Sequence, residues 1–191
     1  MIQYLVAIYY RSIILINDLL NTSIYKKIKE EYQAIQLGKK HNYVSGSNVY
    51  LGKYSEKKVI IKGFDIFKLY KNEISILNIL KKSNFVPKVL KLSKNYFVEE
   101  YIAGQTLDKY IKENIIDDKI LKQIIEYLDY LYIYKIVHRD IRPENIIVNR
   151  KNIKIIDYGC AIKVDDDSFK FPSRIEKTLG EKYKTNKYWD G

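Results

Sequence analysis

Residues 137 to 159 read VHRDIRPENIIVNRKNIKIIDYG and concentrate oxygen-bearing side chains at a fixed spacing. Asp140 closes a His138-Arg139-Asp140 triplet, Asn145 follows five residues later, and Asp157-Tyr158-Gly159 comes directly after an apolar stretch. Carboxylates can take up a proton, and carboxylate or amide oxygens suit hard cations. Taken singly, each of the three is an ordinary turn residue, because Asp and Asn favour loops and hairpin ends. Taken together they flank two short apolar runs, NIIV (145 to 148) and IKII (153 to 156), which read as a hairpin joined through Asn149 to Asn152. Such a hairpin brings Asn145 and Asp157, at its two ends, close together.

This string closely resembles the catalytic loop and metal-binding loop of the eukaryotic-type protein kinases, H-R-D-x-x-x-x-N followed by D-F-G. The resemblance implies phosphoryl transfer, in which the protein positions a hydroxyl, holds magnesium against phosphates and neutralises spreading charge. It assigns Asp140 to the acceptor proton and Asn145 and Asp157 to the metal. Arg142, two residues after Asp140, stands where Ser/Thr kinases carry lysine and would neutralise the γ-phosphate with a planar fork in place of a point charge.

Other family parts follow in the expected order upstream. Val59-Ile60-Ile61-Lys62 matches V-A-I-K, so Lys62 would bind the α and β phosphates, and Glu73 in the next helix is its natural partner. An inward glutamate among apolar residues needs such a cation, because burying a lone charge costs several kcal/mol. Leu77, His138 and Tyr158 fall where the family stacks an apolar spine between its lobes. NYFVEEYIAGQTLDKY (95 to 110) resembles the hinge, with Glu99 at the gatekeeper position and backbone groups from Glu100 to Ile102 along the adenine edge. The glycine-rich loop is the poorest match: Gly46 and Ser47 alone would cap the phosphates. ATP and Mg2+, with Mn2+ as a substitute, are the implied cofactors, and a Ser/Thr-bearing protein is the implied substrate.

The elements that must position these groups are legible as patterns. Residues 2 to 20 and about 23 to 37 read as helices. VYLGKY (49 to 54) and KKVIIKGF (57 to 64) form a hairpin across Ser55-Glu56, a helix covers about 67 to 82, and a second hairpin spans 89 to 102. A short helix opens at Thr106. A longer one follows Asp117-Asp118, with Ile120, Leu121, Ile124, Ile125, Leu128, Leu131 and Tyr132 as its apolar face. The expected fold is α+β with two lobes: a helical extension over 1–40, a strand-rich N-lobe over 41–103 and a reduced helical C-lobe over 104–191. The amino-terminal helices are expected to support the catalytic loop.

Only 34 residues follow Asp157, and no A-P-E sequence occurs among them. Ser168, Ser173, Thr178, Tyr183 and Thr185 are hydroxyl candidates on an abbreviated activation segment, which Arg139 would contact when phosphorylated. This brevity resembles the minimal kinases of bacterial type III effectors, which implies action on a host protein. A small-molecule acceptor such as a sugar or lipid, or a kinase-shaped binding module, remains open.

Composition bounds the rest. The 191 residues are 47% hydrophobic, enough for one compact unit, and 34 Lys and Arg against 23 Asp and Glu leave a net charge of +11. An anionic partner is expected, but the basic residues are dispersed and no nucleic-acid motif appears. The apolar start is interrupted by Arg11 and Asp18, so neither a signal peptide nor a membrane span is expected. A single cysteine, Cys160, excludes an internal disulfide. The expected compartment is the cytoplasm, or a host cell for a secreted effector.

Overall fold

The computed structural model describes residues 24–37 and 47–164. The expectations for residues 2 to 20, for Gly46 and for the hydroxyls of the tail lie outside these residues. The architecture is α+β. A five-stranded antiparallel sheet has the order β1-β2-β3-β5-β4, built from β1 (Ile35–Leu37), β2 (Ser47–Tyr54), β3 (Lys57–Phe64), β4 (Val89–Leu92) and β5 (Tyr96–Glu100).

Alternation along β3 decides which residues face the site. Val59 and Ile61, with Tyr50, Tyr96 and Val98, pack against Ile28 and Tyr32 of α1 (residues 24–32). The opposite face carries Phe64 and Phe97 onto α2 (Phe67–Leu80), through Leu69, Ile76, Leu77 and Leu80. Lys62 pairs with Phe97 in the ladder and shares this second face, as the period of two requires. The β2–β3 connection uses Ser55 and Glu56, both at positive φ (48° and 61°), the geometry that matches the right-handed twist of a tight hairpin.

Two expectations about the amino-terminal region change. The helical reading of residues 23 to 37 stops at residue 32, after which Ile35–Leu37 form β1 on the open edge of β2. The pattern misled because Ile35 continues the three- and four-residue spacing of Ile24, Ile28 and Tyr32, yet it is an edge residue, 71% exposed. Helix α1 also covers the outer face of the sheet and does not support the catalytic loop. The outer face holds large apolar side chains, and α1 supplies the nearest apolar cover in sequence.

The second lobe begins with β6 (Gln105–Thr106), α3 (Leu107–Glu113) and α4 (Asp118–Ile133). Asp117 caps α4 by accepting the Lys119 N–H at 2.8 Å. Then come β7 (Ile136–Val137), a 3-10 turn at Pro143–Asn145, the β8 (Ile146–Asn149) and β9 (Asn152–Ile155) hairpin, a second 3-10 turn at Tyr158–Cys160, and β10 (Ile162–Lys163), which returns to pair with β7. The buried side of α4 is Ile120, Tyr127 and Leu131, with Ile124 partly covered. Leu121, Ile125, Leu128 and Tyr132, expected on the buried face, are exposed. Apolar residues occupy so wide an arc of α4 that periodicity could not choose the side that packs. Among the described residues, no helix is long and apolar enough to cross a membrane.

Candidate active site

Three elements deliver one ionic cluster. Lys62 Nζ from β3 donates to Glu73 Oε1 of α2 at 2.8 Å and to Asp157 Oδ1, just past β9, at 2.6 Å. Lys62 and Glu73 are almost fully buried, while the Asp157 side chain keeps 46% exposure and so opens the cluster toward solvent. Burial acts to push the Lys62 ammonium down, but Asp157 and Glu73 outweigh it and hold Lys62 above the usual lysine range. Lys62 holds the Asp157 carboxyl down at about 2. Burial lifts Glu73 to about 7, with Lys62 opposing.

Backbone conformation aims Asp157. It sits in the left-handed region at φ 66°, and the Gly159 N–H helps keep its carboxylate ionised. Gly159 has no spare room: a Cβ there would lie 3.3 Å from Asp157 Oδ1 and 3.5 Å from both Glu73 Oε2 and Lys62 Nζ. The glycine therefore lets the main chain run against the ion cluster.

Asp140, Asn145 and Arg142 are in direct contact. Asn145 Nδ2 donates to the Asp140 carbonyl and to Asp140 Oδ2, each at 2.9 Å. Arg142 Nε lies 3.5 Å from the same Oδ2. The Ile156 N–H donates to the Asn145 carbonyl at 2.9 Å, which closes the β8–β9 hairpin and draws Asn145 and Asp157 together as the spacing implied. With its amide nitrogen engaged by Asp140, Asn145 has its amide oxygen as the group for a cation. That oxygen and the Asp157 carboxylate are hard donors that fit magnesium, which is commonly held by one or two carboxylates together with substrate phosphates. The Cys160 thiol nearby is pushed up to about 12 by burial and stays protonated, which does not suit a soft-metal site.

Leu77, His138 and Tyr158 are each at most 2% exposed. The His138 and Tyr158 rings lie 4.7 Å apart, and burial pushes the imidazole down to about 4, so His138 packs as a neutral ring. At the hinge, regular pairing of β5 ends at Glu100, and residues 101–103 run free of a ladder, with Ile102 half-buried. The Glu100 N–H donates to the Lys88 carbonyl at 2.9 Å and is thus engaged within the protein. Half-buried Glu99 lies one step before Glu100, and desolvation raises its carboxyl to about 8. Ser47 opens β2 opposite Phe64.

Sequence reasoning missed three contributors. Asn72 Nδ2 donates to the Ala161 carbonyl at 2.8 Å, tying α2 to the segment after the metal loop. Lys154 Nζ donates to Glu100 Oε1 and to the Val86 carbonyl, both at 2.9 Å, tying β9 to the hinge. The Tyr127 hydroxyl donates to that of Tyr158 at 3.1 Å. The only signal in the sequence was a polar atom on an otherwise buried face, and without a fold nothing distinguished these residues from other asparagines, lysines and tyrosines.

Comparison with known proteins agrees with this geometry. The family model described as protein kinase domain matches residues 23–184. The chain is 35% identical over 128 residues to MAP kinase kinase kinase SSK2 of Saccharomyces cerevisiae, covering 61% of this chain and 8% of that protein. It is 35% identical over 125 residues to the probable serine/threonine-protein kinase mkcE of Dictyostelium discoideum, covering 58% of this chain and 18% of that one. It is 31% identical over 141 residues to the carbon catabolite-derepressing protein kinase of Candida glabrata, covering 68% and 22%. The chain thus spans less than a quarter of the length of each of these relatives. None of the three is a bacterial effector, the group that its brevity suggested. A match over residues 23–184, most of the chain, means that the chain belongs to the protein kinase family.

Proposed function

We propose that the chain transfers the γ-phosphate of ATP, with magnesium, to a serine or threonine of another protein. The observation that carries this reading is the buried Lys62–Glu73 pair, which phosphoryl transfer in this family requires, with the Asp157 carboxylate bonded to the same ammonium. The relative named a probable serine/threonine-protein kinase supports the class of acceptor.

Each residue has a physical task in this reaction. Lys62, oriented by Glu73, pairs with nucleotide phosphate oxygens. Asp157 and the Asn145 amide oxygen would hold the metal, which would supply charge neutralisation on the phosphates. Asp140, fixed by Asn145, orients the acceptor hydroxyl and takes up its proton as the oxygen bonds to the γ-phosphorus and the bond to the β,γ-bridging oxygen breaks. Arg142, beside Asp140, balances charge on the transferred group. Gly46, Ser47, Glu100 and Ile102 complete the nucleotide site through backbone groups.

Labelled ATP, magnesium and a mixed protein substrate test the reading, beside Asp140→Ala and Asp157→Ala. Label on protein that both substitutions abolish supports it. Product found only with sugar or lipid acceptors redirects it to a small-molecule kinase, and magnesium-dependent nucleotide binding without turnover redirects it to a binding module.

A further inference from the structure

Tyr158 lies against the ring of His138, its turn packs on helix α2, and Tyr127 of helix α4 meets its hydroxyl. Tyr127 of α4 is 1% exposed, as is Tyr158, and their hydroxyls meet at 3.1 Å. A phenylalanine at 158 would fill the same space equally well, but without a directional tie. The hydroxyl pair fixes both the depth and the orientation of the ring. Helix α4 is a firm anchor for it, since Ile120 and Leu131 are buried on the same side and Asp117 at its start bonds Lys151 Nζ at 2.7 Å. Asp157 precedes Tyr158 directly, so an orientation set at one ring propagates through a single peptide to the carboxylate.

We infer that Tyr127 is a positioning residue for Asp157: by bonding the Tyr158 hydroxyl it holds the loop in the conformation that turns the Asp157 carboxylate onto Lys62. The consequence for metal and phosphate rests on the function proposed above, whereas the tie itself is tested without it.

Cys160, two residues beyond Tyr158, is half-buried and is the chain's single cysteine, so its labelling by a chromogenic aromatic disulfide reports departure of Tyr158 from its slot. The measurement uses the full chain without ligand, as wild type, Tyr127→Phe, Tyr158→Phe and the double variant. Loss of one hydrogen bond of ordinary strength raises the labelling rate about fivefold in either single variant. Because both substitutions remove the Tyr127–Tyr158 bond, the double variant falls well short of the roughly 25-fold expected of independent effects. The accelerated labelling shows the shallow urea dependence of a local opening. In a second readout, Tyr127→Phe reduces the gain in ADP affinity brought by magnesium about fivefold and leaves metal-free affinity unchanged.

Wild-type labelling in Tyr127→Phe, multiplying effects in the double variant, or acceleration with the urea dependence of global unfolding would each overturn the inference. If wild type shows no magnesium-dependent ADP binding, the kinase reading fails, and the labelling cycle still decides the tie.

Discussion

Lys62 Nζ lies 2.8 Å from Glu73 Oε1, with the glutamate 2% exposed, so the two charges are buried as a pair. Removing the cation alone leaves Glu73 uncompensated. Lys62→Met is expected to cost about 3 kcal/mol of stability, and adding Glu73→Leu to recover a good part of it. Urea unfolding of wild type, single and double variants measures this, while phosphotransfer stays absent in both variants. A single variant as stable as wild type would contradict the pairing.

Asp140 Oδ2 accepts from the Asn145 amide at 2.9 Å and lies 3.5 Å from Arg142 Nε, contacts made within its own loop. Asp140→Asn is therefore expected to lower kcat by about 10²- to 10⁴-fold with nucleotide affinity unchanged. Steady-state kinetics beside equilibrium ADP binding separates the two. A matching loss of affinity would move Asp140 from the proton to the nucleotide.

His138 predicts a pH dependence. Its folded-state value is about 4 against 6.5 when free, with burial as the leading cause. Between these values the unfolded chain binds a proton that the folded chain does not, so stability falls as pH drops from 6.5 toward 4, by about 3 kcal/mol for this group. Glu73, raised by burial, acts in the opposite sense over part of the same range. The test is therefore the difference between wild type and His138→Phe in urea stability at pH 7 and pH 4.5. The variant should lose less stability on acidification, even if it is weaker at pH 7.

Gly104 precedes β6 where the chain passes the β8 backbone. A Cβ there would come within 2.4 Å of the Val148 carbonyl oxygen, which belongs to a paired strand and cannot turn away. Gly104→Ala should lower Tm by about 5 °C, the range for overpacking against backbone in a chain of this size. An unchanged Tm would show that β6 can shift without cost.

The chemistry-bearing string was readable because its signals are local. Residue types and short spacings along the chain define the two loops, and the VYLGKY and KKVIIKGF patterns mark β2 and β3, although β2 begins two residues earlier, at Ser47. Even the pairing of Lys62 with Glu73 followed from a local argument, since an inward charge on an apolar face needs a partner. The Ser55-Glu56 turn, the bounds of β3 and the approximate start of α4 follow from the same patterns.

The tertiary structure decided what depends on distance. Periodicity offered α4 two apolar sides, and only the packing of Ile120, Tyr127 and Leu131 selected one. Ile35–Leu37 continue a helical pattern, yet the open edge of β2 turned them into a strand, because unpaired backbone groups there gain hydrogen bonds that a further turn of α1 would not provide. Lys62 meets Asp157 across 95 positions of sequence, and Tyr127 meets Tyr158 across 31. Residue types identify which groups can bond, but only the folded chain brings a particular ammonium and carboxylate, or two particular hydroxyls, within reach of each other.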